Sequence, residues 1–360
     1  MIIGIDASRF NLEKKTGVEV YSDYIISNIA KIAGAQKKHK IILYCKKNQS
    51  IPTEITDTKN IEIKRIKGKR LWTQFRLSAT LSKNKPDVLF IPSHVLPIIN
   101  GKKNVITIHD VAFMSFPEVY SLKQRFYLKL TTKKACKKAN TIIVPSKATS
   151  GDLIKYFKCN PEKIKIIYHG LDASTLPKAK KSDDAAPYIL FIGRLESKKN
   201  LIRLLKAFNN FQKTHSDWKL ILAGPKGVGS DKIYESIKDL NLENKVETPG
   251  YITDIEKSQL LTNAKIFAFP SLAEGFGFPI LEAFNYKIPV LTSNSSSMKE
   301  IGGEGALYIN PLDTTEIQEG LEKLANNTEL VNKLLQKQPA ILKKYTWQES
   351  AEKTWNVLTS

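Results

Sequence analysis

Short, almost uninterrupted apolar stretches alternate with amphipathic ones along the whole chain, and no other feature of the sequence restricts the fold as much. In the first half the pattern predicts strands at Ile2–Asp6, Lys40–Tyr44, Ile61–Arg65, Val88–Ile91, Asn104–Ile108, Thr141–Val144 and Ile164–Ile167. Helical periodicity fills the intervals at Val18–Ala33, Trp72–Lys83, Leu122–Lys138 and Lys147–Tyr156. A strand that is apolar at every position is covered on both faces, and strands joined through helices run parallel. The expected fold is therefore α/β, with doubly wound parallel sheets.

The alternation stops at Leu171–Pro187, where Ala, Lys, Asp, Ser and Pro appear without periodicity, and restarts at strand Tyr188–Gly193. It continues through strands Trp218–Ala223, Val246–Thr248, Ile266–Phe269 and Pro289–Thr292, with helices between them and helices to the end. With 360 residues there is material for two cores. The expected organisation is a first Rossmann-like domain over 1–172, a linker over 173–187, a second such domain over 188–343 and a closing helix over 344–360. Two doubly wound sheets place a ligand cleft at the carboxyl ends of their strands.

Charge separates the halves. Residues 1–180 hold 34 Lys and Arg against 13 Asp and Glu, whereas residues 181–360 hold 22 of each, so the net +21 lies entirely in the first half. A one-sided basic domain points to an anionic partner: nucleic acid, a membrane surface or a phosphorylated acceptor. Three widely spaced cysteines, Cys45, Cys136 and Cys159, form neither a disulfide framework nor a metal cluster, which suits a reducing cytoplasm. No apolar run approaches the length of a membrane span, and the N-terminus reads as a strand, not as a signal peptide.

The chemistry is concentrated in Ser271–Ala283, SLAEGFGFPILEA, directly after a predicted strand. Gly275 and Gly277 let the backbone come close to a ligand, and Pro279 suits the first turn of a helix. The N-terminus of that helix offers free N–H donors to a phosphate. Glu274 before the turn and Glu282 inside the helix can reach different hydroxyls of one elongated ligand. A second segment, Gly193–Leu201 (GRLESKKNL), puts Arg194 and Lys199 after another strand. Fixed cations there would stabilise the charge that develops on a departing diphosphate.

These segments resemble glycosyltransferase family 4, retaining enzymes of the GT-B fold, whose E-x7-E signature is matched by Glu274 and Glu282. The resemblance implies two facing Rossmann-like domains about a central cleft, with the C-terminal helix returning to the first. It puts Glu274 by the donor sugar's hydroxyls, Glu282 at the nucleotide ribose, and Gly275, Phe276, Gly277, Phe278 and Pro279 along the sugar and diphosphate. Arg194 and Lys199 fall on the diphosphate-binding positions. In the segment Ile108–Pro117 (IHDVAFMSFP), His109 falls beside the donor sugar and Asp110 is its orienter or an acceptor contact. Gly17, in TGVEVY, takes the place of the family's N-terminal glycine loop, which usually holds two glycines, and Tyr251 is a candidate neighbour of the base.

What the resemblance implies is a metal-independent hexosyltransferase with no cofactor. Its donor would be a nucleotide-sugar, with GDP-mannose the first expectation and UDP- or dTDP-sugars next. Its acceptor would be a glycan or lipid-linked hydroxyl in cell-surface polysaccharide synthesis. Neither a DxD pair nor a GxxxxGK[ST] loop occurs, and the histidines and cysteines lack metal-ligand spacing. A nucleic-acid-binding protein would leave the acid pair unexplained; a GT-B epimerase is the alternative enzyme. The basic half is expected to dock on an anionic membrane at the cytoplasmic face. Loop Lys64–Trp72 (KRIKGKRLW), with Trp72 at the interface, is the preferred contact. Helix Leu122–Lys138 has two readings, a membrane face or a core-packed helix with a solvated basic side.

Overall fold

The computed structural model describes residues 1–12, 15–68, 71–172, 179–181 and 186–360, in two compact units. The first comprises Met1–Met114, Leu122–Gly170 and Tyr345–Ser360; the second comprises Ser115–Ser121 and Leu171–Lys344. Most of the expected linker lies outside the described residues.

The first unit is built on seven parallel strands: β1 (Ile2–Asp6), β2 (Lys40–Lys46), β3 (Ile61–Ile66), β4 (Val88–Ile91), β5 (Lys103–Thr107), β6 (Thr141–Val144) and β7 (Ile164–Ile166). Their order in the sheet is β3-β2-β1-β4-β5-β6-β7. The second holds six parallel strands: β8 (Tyr188–Ile192), β9 (Lys219–Ala223), β10 (Val246–Gly250), β11 (Ile266–Phe269), β12 (Val290–Ser293) and β13 (Ala306–Ile309), in the order β10-β9-β8-β11-β12-β13. Each sheet reverses direction once, between β1 and β4 in the first unit and between β8 and β11 in the second. These are the two places where a doubly wound sheet opens to a ligand. Strands β4 and β11 are buried at every residue, as their unbroken apolar runs require, and β12 is buried throughout although it ends in Thr292 and Ser293.

The C-terminal helix Trp347–Thr359 belongs to the first unit and packs on helix Gly17–Gln36. The Tyr24 and Trp347 rings stack at 4.8 Å, and Trp355 Nε1 donates to Gln36 Oε1 at 3.0 Å. Strand β13 was not anticipated: ALYI is a short run after a glycine-rich turn, and it is buried only at its two ends. The helix expected over Trp72–Lys83 is instead a π-helical turn, Trp72–Leu77, running into a short α-helix, Ser78–Leu81.

Two expectations about the basic surface change. Trp72 is 4% exposed, so it is a core side chain and not an interfacial one. Its loop begins inside β3 and includes Lys69 and Arg70, which lie outside the described residues. Helix Leu122–Lys138 faces the other way from its core-packed reading: it buries Thr132, Ala135 and Cys136 and leaves Leu122, Phe126 and Leu130 exposed.

Candidate active site

In the second unit the chain leaving β8 and the chain leaving β11 meet where the strand order reverses. Lys199 Nζ lies 2.5 Å from Glu274 Oε1, with only 11% and 13% of the two side chains exposed. Lys199 also stands 5.2 Å from the centre of the Phe269 ring. Burial alone would raise the Glu274 pKa, but the charges of Lys199 and Lys198, with hydrogen bonds from Lys199 and Ser271, hold it below the ordinary value. Glu274 is therefore an ionised carboxylate at neutral pH. The loops are fastened by Leu272 N donating to Lys198 O at 2.9 Å and by Asn200 Nδ2 donating to Pro270 O at 3.2 Å.

Arg194 is exposed and follows Gly193 at the end of β8. Its stem lies against Gly227, where an added Cβ would come within 2.7 Å of Arg194 Cγ; a side chain at 227 would displace it. Gly227 belongs to Gly224–Gly229 (GPKGVG), the turn after β9, which grips the Arg194 segment through Leu195 N to Pro225 O and Gly227 N to Leu195 O, both 2.9 Å. Sequence reasoning missed this loop. Its signal was a glycine cluster at the end of a predicted strand.

Beyond Glu274, Gly277 adopts φ 116°, a left-handed conformation that favours glycine, and caps helix Phe278–Asn285 with Pro279 in its first turn. Phe276 is buried, and its ring meets that of Phe278 edge-on at 5.1 Å. Glu282, inside the helix, pairs with Lys257 from helix Asp254–Asn263. A row of hydroxyls from the end of β12 and the segment after it supports the backbone of the turn. Ser293 Oγ donates to Ser271 O at 2.6 Å, Ser296 Oγ to Glu274 O at 2.8 Å, and Ser297 Oγ reaches Glu274 O at 3.0 Å and Phe276 O at 2.7 Å. These serines were also missed, although SNSSS (Ser293–Ser297) after a predicted strand is an unusual string. Tyr251 projects from the end of β10 and is 66% exposed.

The first unit gathers a different set around the end of β1 and the turns after β4 and β5. Gly17 is the first residue of helix Gly17–Gln36, and Glu19 in its first turn accepts from Thr16 N at 3.0 Å and from Arg9 at 2.5 Å. Burial would raise the Glu19 pKa, but the Thr16 hydrogen bonds and the Arg9 charge lower it overall. His109 is buried, with Nε2 at 3.2 Å from Pro92 O and Nδ1 at 3.3 Å from His169 Nε2. A carbonyl only accepts, so Nε2 carries the proton and Nδ1 accepts from His169. Burial, reinforced by His94, lowers the His109 pKa to about 3. The ring is thus neutral and held by Pro92 and His169. Asp110 Oδ1 accepts from Ala112 N at 3.0 Å, and its charge acts on the His109 ring against the effect of burial. Among the described residues no cluster of His, Cys, Asp and Glu could hold a metal ion.

The family model described as "Glycosyltransferase Family 4" matches residues 16–175, and "Glycosyl transferases group 1" matches residues 172–340. O-antigen chain mannosyltransferase B of Escherichia coli is 25% identical over 303 residues, 81% of this chain and 79% of the relative. Sucrose-phosphate synthase from Thermosynechococcus elongatus superposes with a TM-score of 0.77 at 15% identity, over 99% of this chain and 98% of that one. Anabaena HepE, solved with UDP and glucose, superposes with a TM-score of 0.72 at 18% identity, over 99% of both chains. With two doubly wound units, an acid pair spaced as in the family signature and both family models matched in order, the chain belongs to glycosyltransferase family 4, as a glycosyltransferase of the GT-B fold.

Proposed function

We propose that this glycosyltransferase moves a hexosyl group from a nucleotide-sugar to a hydroxyl of a lipid-linked or polysaccharide acceptor in cell-surface glycan synthesis, with retention at the anomeric carbon. The observation that carries this reading is the Lys199–Glu274 pair at the reversal of the second sheet, with exposed Arg194 in the same segment after β8 as Lys199. An ionised carboxylate next to fixed cations suits a ligand that joins sugar hydroxyls to a diphosphate. As the nucleoside diphosphate leaves, negative charge grows on its oxygen, and Lys199 and Arg194 stabilise that charge more than the ground state. Cations in these positions supply what a divalent metal supplies in other enzymes, so transfer is proposed to proceed without one. None of the site residues named above is an evident nucleophile for a covalent sugar intermediate. Front-face departure and attack is the mechanism we favour, the leaving diphosphate helping to take the acceptor proton.

GDP-mannose is the proposed donor, in keeping with the mannosyltransferase name of the Escherichia coli relative. UDP-sugars are the second reading, favoured by the UDP and glucose bound to the Anabaena protein of the same fold. The first unit is proposed to take the acceptor, and its basic surface to hold the protein at the inner face of the cell membrane. The test is a thermal-shift screen of GDP-, UDP- and dTDP-sugars, followed by transfer assays in excess EDTA with the donor that binds. A ligand present at 100 times its Kd stabilises by about 2.7 kcal/mol, which a melting curve resolves. GDP-mannose is expected to give the largest shift and activity is expected to persist in EDTA. A larger shift with UDP-sugars would replace the donor, activity restored only by Mg²⁺ or Mn²⁺ would remove the metal-free mechanism, and donor conversion without acceptor would make the protein an epimerase.

A further inference from the structure

Among the described residues of the first unit, the large apolar side chains that are more than half exposed come from three segments. Leu122, Phe126 and Leu130, spaced four residues apart on helix Leu122–Lys138, share one face and are 82%, 65% and 51% exposed. Leu71, Phe75 and Ile98, each more than half exposed, come from two other segments. Both segments are tied to the helix. Gln74 Nε2 donates to the Tyr127 hydroxyl, and Lys134 Nζ donates to Pro97 O at 2.8 Å. Six large apolar residues are thus exposed on three stretches of chain that these hydrogen bonds hold together, and exposed apolar surface of this kind marks an interaction site.

The same helix carries seven Lys and Arg and no Asp or Glu. Lys123, Lys129 and Lys133 are exposed, and among the described residues none of them pairs with a carboxylate. Exposed Leu and Phe between unpaired lysines match a bilayer boundary, where apolar side chains enter among the acyl chains and the cations meet anionic headgroups. A second copy of the chain fits less well, because a two-fold contact through this helix would set its cations against themselves. A nucleic acid would use the lysines and leave the apolar residues in water.

We infer that the face formed by Leu122, Phe126 and Leu130 with Leu71, Phe75 and Ile98 inserts into the surface of an anionic lipid bilayer, and that the lysines of the same helix select anionic headgroups. This rests on the membrane attachment proposed above and gives it a surface. It differs from attachment by charge alone, which would not depend on the apolar side chains.

The test is flotation of the full chain with vesicles of phosphatidylcholine alone or of an equimolar mixture with phosphatidylglycerol. Wild type is expected to float with the mixture and to stay behind with phosphatidylcholine. A Phe126→Ser/Leu130→Ser variant changes no charge and alters only exposed positions, so the fold is retained; its binding to mixed vesicles is expected to fall at least tenfold, about 1.4 kcal/mol. Lys123→Ser/Lys129→Ser/Lys133→Ser is expected to fall comparably. In Phe126→Trp, indole emission is expected to shift to the blue on mixed vesicles only. Unchanged flotation of Phe126→Ser/Leu130→Ser would overturn insertion in favour of charge alone. No flotation of wild type, a dimer dissociated by the same variant, or capture by random duplex DNA in place of vesicles would each overturn the assignment. The donor thermal shift is run on the same proteins: a shift without flotation removes only this inference, whereas no shift with any sugar nucleotide removes the transferase reading.

Discussion

Lys199 Nζ and Glu274 Oε1 stand 2.5 Å apart, and the two residues follow β8 and β11, the strands between which the order of the second sheet reverses. Neither residue gains this position from its own segment. The β8–β11 pairing brings the two strand ends together, and the Leu272–Lys198 backbone bond holds the loops in register. The result is a charged pair shielded from water but positioned where a doubly wound sheet receives its ligand.

Glu274 and Glu282 should separate in their kinetic effects. Glu274→Gln keeps shape and removes charge beside the proposed sugar site, so kcat is expected to fall about 100-fold, roughly 2.7 kcal/mol of barrier, with nucleotide affinity almost unchanged. Glu282→Ala is expected to weaken nucleoside diphosphate binding about tenfold, read by calorimetry, with a smaller effect on kcat. A Glu274→Gln enzyme within about twofold of the wild-type rate would remove Glu274 from the donor site.

Ser297 is fully buried and its hydroxyl reaches two carbonyl oxygens of the Glu274–Gly277 turn. Ser297→Ala withdraws the donor from both carbonyls at a cost of about 1 kcal/mol. Loss of this restraint should raise the donor KM several-fold while leaving acceptor KM unchanged. Equal effects on both substrates would assign the serine to general stability.

Acid should destabilise the first unit through its histidines. Burial lowers the pKa values of His94, His109 and His169, with His109 brought to about 3 and Asp110 opposing the shift at His94 and His109. In the unfolded chain these rings take up protons near the ordinary value of 6.5, while the folded chain does not. The unfolded state therefore binds more protons between pH 6.5 and about 3, and stability falls as pH drops through that window. Urea midpoints at pH 7.5 and 5.5 measure the fall. In His109→Gln the drop should be shallower, and an unchanged slope would mean that other groups carry it.

The sequence by itself determined most of the elements and the family. Buried parallel strands announce themselves as unbroken apolar runs, so β4 and β11 are legible without coordinates. The Glu274–Glu282 spacing is equally local, since it needs only a turn and one helical step. Tertiary structure decided what local pattern does not contain. Lys199 meets Glu274 across 75 residues, Lys257 meets Glu282 across 25, and the serines after β12 support a turn that follows β11. Periodicity reports that a helix has an apolar stripe, but what covers the stripe depends on elements far away in the chain. For that reason Trp72, which looked interfacial, is buried, while Leu122, Phe126 and Leu130 face outward. His109 shows the same division: its place after a strand was visible in the sequence, but its neutral state depends on burial and on the neighbouring His94, which only the fold brings about.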